Sequence, residues 1–117
     1  MSNIEILDLA IRTVIIQYHR TAKKAYKSFM RDIHQAKEAR CETAVILLDS
    51  WQRGGWKYVL KTLEHIEYTD GLHIHTWEPK VMEFLKVKAD LAVLKKKQAI
   101  ILQNCQMQDA LKEALNK

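Results

Sequence analysis

Arg20, Lys24, Lys27 and Arg31 recur at helical spacing, Lys23 stands beside them, and no Asp or Glu occurs from Leu9 through Arg31. At about 100° per residue the four fall on one side of a helix over about three turns. Each cation can neutralise one phosphate, with an affinity that falls steeply as salt rises. A row of this length suits a polyanionic backbone better than one small anion. The plainer alternative is a solvated helix face that keeps the chain soluble. Tyr18, Tyr26 and Phe29 fall on the apolar side of the same stretch, so stacking on single-stranded bases is only weakly indicated. Lys95, Lys96 and Lys97 are consecutive and fan around their helix, so all three cannot face one ligand. No zinc-finger spacing, RNP motif or helix-turn-helix accompanies these clusters.

His73 and His75 would point to one side of a strand, a workable spacing for two imidazole metal ligands. His65, Glu64, Glu67 or Asp70 could complete a site if a hairpin folded back. No H-E-x-x-H, E-x-x-H or C-x-x-C pattern supports that reading, and alternating polar residues on one exposed face explain it equally well. No cofactor or metal is expected. His19 and His34 read as surface or boundary residues.

The three tryptophans lie between positions 51 and 77. Trp51 and Trp56 flank Gly54-Gly55 and Trp77 precedes Pro79. They either seal one end of the helices or form a partner-binding surface with His73 and His75. Of the three, Trp77 is expected to be the most exposed. Signals for catalysis are sparse: there is no G-x-S-x-G, P-loop or dinucleotide fingerprint, and nothing local activates Cys41.

The elements that must position these residues are helical. The chain has 117 residues, 3 Gly and 1 Pro, too few turn residues for a β-sandwich or a doubly wound sheet. A single helical domain spanning 1–117 is expected. Hydrophobic residues make up 48%, which argues against disorder. No apolar stretch is long enough for a transmembrane helix, and Glu5 and Asp8 precede the first basic residue, unlike a signal peptide. Two cysteines are too few for a disulfide framework, so reduced thiols in the cytoplasm are expected, with Cys105 in the core. The net charge of +5 is uneven. Segments 1–40 and 79–117 each carry eight basic and four acidic residues, whereas 41–78 carries three and six. The acidic middle is therefore a rival partner for the basic row.

Ser2 and Glu5 form an S-x-x-E capping box. Behind it Ile4, Leu7, Ile11, Val14, Ile15 and Tyr18 begin an apolar stripe that continues through Phe29 and Ile33 to Ala36. A first helix near 3–38 follows. One or two shorter helices are expected from 43–67, bent at Gly54-Gly55. Period-two alternation around Asp70-Gly71 predicts a small β-hairpin at 66–76, or else an ordered loop. Pro79 is expected in the first turn of a last helix near 79–115. One seam of that helix runs through Phe84, Val87, Leu91, Leu94, Gln98, Ile101 and Cys105, and a second through Ala89, Val93, Ile100 and Met107.

The expected fold is mainly α, an elongated helical bundle whose two long helices pack antiparallel and bury Ile11, Val14, Tyr18, Phe29, Leu91, Leu94 and Ile101. The second seam predicts a homodimer or higher oligomer with Val93, Ile100 and Met107 at the interface. The leading functional expectation is a non-enzymatic nucleic-acid-binding protein, accessory or regulatory, acting through Arg20, Lys23, Lys24, Lys27 and Arg31. The alternative is an adaptor or inhibitor docking on a protein complex through Trp77, His73 and His75. A metal-dependent enzyme at the hairpin stands third. No membrane partner is expected.

Overall fold

The structure, a computed structural model, describes residues 2–66 and 71–115. Three helices account for most of them: α1 (Asn3–Glu38), α2 (Glu42–Leu63) and α3 (Ile74–Leu115). No strand occurs among the described residues, and no helix is long and apolar enough to cross a membrane.

The start of α1 follows the capping box. Ser2 Oγ accepts the Glu5 N–H at 3.3 Å, and the Ser2 carbonyl accepts the Ile6 N–H at 3.1 Å. The first occupies an N–H group that a helix start leaves without an intrahelical partner, and the second is the first bond of the helix. Its end is a complete Schellman turn. The Cys41 N–H reaches the Ala36 carbonyl and the Arg40 N–H reaches that of Lys37, both at 2.9 Å. Arg40 holds the left-handed position, with φ at 60°, where glycine is the usual residue.

Helix α2 is two helical pieces joined at Gly55, whose φ of 70° and ψ of −162° are not helical. Gly54 is fixed by space instead: a Cβ there would lie 2.5 Å from Tyr58 Cβ. The expected bend at the Gly-Gly pair is therefore present, with a separate reason for each glycine.

The expected hairpin does not form. Residues 67–70 lie outside the described residues, but Ile74 and His75 already belong to α3. Pro79 therefore sits inside the helix rather than opening it. Its missing N–H leaves only the His75 carbonyl without an i+4 donor.

The chain forms two compact units: Met1–His19 with Lys86–Lys117, and Arg20–Leu85. In the second, Ala25, Phe29, Ile33 and Ala36 of α1 are buried with Ala44, Leu47 and Val59 of α2 and Trp77, Val81 and Phe84 of α3. In the first, α1 and α3 run antiparallel. Asn3, Leu7 and Ala10 share a groove with Lys97 and Ile101, whereas Ile15 and His19 share one with Lys88 and Lys95. Ile11, Val87 and Leu91 are buried there, while Val14, Tyr18, Leu94 and Ile101 are half-buried. Two helices alone cannot enclose more, because each side chain between them keeps an open flank. Cys105, expected in the core, is exposed.

Candidate nucleic-acid interface

Arg20, Lys23, Lys24, Lys27 and Arg31 are all exposed on α1 within the second unit. The opposite side of the same turns supplies Ala25, Phe29 and Ile33 to the core, all at or below 1% exposure. Burial of that stripe fixes the rotation of the helix and holds the five cations outward. The three ion pairs among the described residues are Arg12 with Asp8, His34 with Glu38 and Arg53 with Asp49, each an i,i+4 pair on one helix. None uses a cation of the row. Within the chain, the acidic middle segment does not pair with it among the described residues.

Asp32, the first acidic residue after the row, is turned away from it. It is 5% exposed and accepts the His73 N–H on both oxygens, at 3.0 and 2.9 Å. Its Oδ2 also accepts the Trp77 indole N–H at 2.7 Å. A carboxylate on α1 thus caps the start of α3, where N–H groups lack helical acceptors and the helix dipole favours negative charge. Lys80 Nζ donates to Ser28 Oγ at 2.7 Å, one turn earlier on α1.

The tryptophans gather inside this unit. Phe29 lies edge-on to Trp56 and Trp77, with ring centroids 5.0 and 4.8 Å away. Trp51 contacts Trp56 at 6.0 Å and Tyr26 at 5.5 Å. Trp77, expected at the surface, has 0% exposure, because its indole N–H finds Asp32 and its rings fill the core. His73 and His75 are exposed, with ring centroids 6.1 Å apart and planes nearly perpendicular. His75 is helical and His73 immediately precedes the helix, so the strand geometry that would aim both at one ion is not formed. No three His, Cys, Asp or Glu side chains among the described residues are placed to hold a metal ion. Glu67 and Asp70 lie outside them.

Two features are not apparent from local sequence. Asp32 caps α3 from 41 residues away; the available signal was a lone acid at the edge of the apolar stripe. Tyr26, assigned to the apolar side, is 43% exposed. It lies between Lys23 and Lys27 in the chain and keeps its contact with Trp51. Val93, Ile100 and Met107 are exposed, at 54%, 49% and 59%. No family model, no curated protein and no solved structure matches this chain.

Proposed function

We propose that this chain is a non-enzymatic, cytoplasmic nucleic-acid-binding protein with an accessory or regulatory role, contacting the phosphate backbone through Arg20, Lys23, Lys24, Lys27 and Arg31. The observation that carries this reading is that all five cations are exposed on one helix face and outside every ion pair among the described residues. Arg20 to Arg31 covers about 16 Å at 1.5 Å per residue, enough to follow several phosphates. The net charge of +5 favours the approach of a polyanion. Neither cysteine forms a disulfide, in keeping with a reducing compartment. A homodimer would carry two such faces. The adaptor reading loses its aromatic anchor, because Trp77 lies in the core.

The test is titration of a labelled oligonucleotide, single-stranded and duplex, over a range of salt concentrations. Engagement of four to five duplex phosphates gives a slope of log K against log salt of about −4. Binding that is absent at low salt, or indifferent to salt, overturns the reading.

A further inference from the structure

The unpartnered surface of the first unit has a regular pattern. Val93, Lys97, Ile100, Asn104, Met107 and Leu111 are all exposed on α3. Their spacing alternates four and three, and at about 100° per residue they fall within about 80° of one another. This is the spacing of a coiled-coil seam. It is distinct from the seam of Val87, Leu91, Leu94 and Ile101, which is buried or half-buried in the unit. Ile100 and Lys97 also line an apolar groove with Ile6, Leu7 and Ala10 of α1, about 460 Å³ in volume. From Leu102 to Leu115 every residue of α3 is exposed. A lone helix of that length is marginal in water, yet Leu111 and Leu115 are 60% and 82% exposed.

We infer that this seam pairs with the same seam of a second copy of the chain, the two α3 helices lying parallel and in register. Three observations favour a second copy. In a parallel pair Val93, Ile100, Met107 and Leu111 each meet their own counterpart, so four layers are apolar. Asn104 then meets Asn104, and two carboxamides satisfy each other, the arrangement by which one polar seam residue fixes register and oligomeric state. An antiparallel pair would set Asn104 against Ile100 or Met107, with no polar partner. The like-charge Lys97 layer is tolerable because a lysine stem can lie along the groove while its ammonium stays in water. The exposed apolar surface is also extensive: Ile6, Val93, Ile100, Met107 and Leu111 are each about half exposed or more, surface that can go toward the roughly 800 Å² per partner of a stable interface. The inference rests on the first unit alone and is independent of the nucleic-acid reading.

Light scattering on the full chain tests it, with a mass of twice 13.7 kDa expected. Ile100→Asp should return the mass to one chain while circular dichroism shows the helices retained. Met107→Glu should do the same, at a position 59% exposed in a stretch of α3 where every residue from Leu102 to Leu115 is exposed. In a Cys41→Ser, Cys105→Ser background, Asn104→Cys should cross-link two copies under mild oxidation. A one-chain mass for the unmodified protein overturns the inference and leaves the seam to a different partner. So does a two-chain mass that survives both charge substitutions, or one whose position 104 does not cross-link.

Discussion

Asp32 and Trp77 meet at 2.7 Å, the indole N–H donating to the carboxylate, 45 residues apart in the chain. With the His73 N–H on the same carboxylate, this hydrogen bond ties the C-terminal part of α1 to the first turn of α3. Asp32→Ala leaves two donors without their acceptor, the indole inside the core. The expected cost is about 3 kcal/mol in urea unfolding. Trp77→Phe removes the indole donor and also trims the core. In a double-mutant cycle the two substitutions should be coupled by about 1 kcal/mol. Strict additivity would mean that the short hydrogen bond contributes nothing to stability.

The same hydrogen bond explains where the sequence was legible. Helix α1 could be read to within a residue or two because both ends are local: Ser2 caps one, and the apolar stripe ends at Ala36. The start of α3 could not, because its capping group is supplied by α1. Leu72, His73, Ile74 and His75 alternate as a strand would, but Asp32 caps the helix start at His73 and the core takes up Trp77. Trp77 was misplaced for the same reason, since its polar edge has a buried partner that local sequence does not show. Of the candidate interface, the basic row was legible because helical spacing alone aligns it. The exposure of Tyr26 was not, since it sits at the edge of the stripe and its cover depends on its contact with Trp51 of α2.

Arg40 carries a backbone cost that another residue would avoid. Its φ of 60° places an L side chain in the left-handed region, about 1–2 kcal/mol above a helical conformation. The Schellman hydrogen bonds of Arg40 and Cys41 hold it there. Arg40→Gly keeps both bonds and relieves the Cβ clash, while the unfolded chain gains some freedom. A net stabilisation of about 0.5–1 kcal/mol is expected, read as a raised urea midpoint with an unchanged slope. Arg40→Val should shift it the opposite way, because a β-branched side chain tolerates that region least.

Charge reversal separates binding from folding at the basic row. Lys24 and Lys27 are exposed and belong to none of the ion pairs among the described residues. Lys24→Glu with Lys27→Glu should therefore leave the unfolding midpoint within about 0.5 kcal/mol of its original value. Oligonucleotide affinity should fall at low salt, and the salt slope should flatten by about one for each phosphate no longer engaged. Unchanged affinity would assign the row to solubility. Loss of a two-chain mass with unchanged affinity would assign it to the acidic segment of a neighbouring copy.

If the proposed face binds nucleic acid, Tyr26 provides a test of which form it takes. Its ring is 43% exposed, lies between two lysines of the row in sequence, and packs against Trp51 with ring centroids 5.5 Å apart. At about 100° per residue the ring sits at the edge of the cationic face, about 60° from Lys23; an exposed ring there can stack on an unpaired base, whereas bases inside a duplex offer it no free face. Tyr26→Ala should thus weaken single-stranded binding by about 1–3 kcal/mol, the usual worth of one base stacked on an aromatic ring. Duplex binding, carried by the phosphates alone, should hardly change. Tyr26→Phe keeps the ring and loses only the hydroxyl, so it should retain single-stranded affinity. Equal losses on both substrates for Tyr26→Ala would indicate instead that the ring acts by supporting Trp51 and the packing beneath the row, an effect that the unfolding midpoint of the variant would register directly.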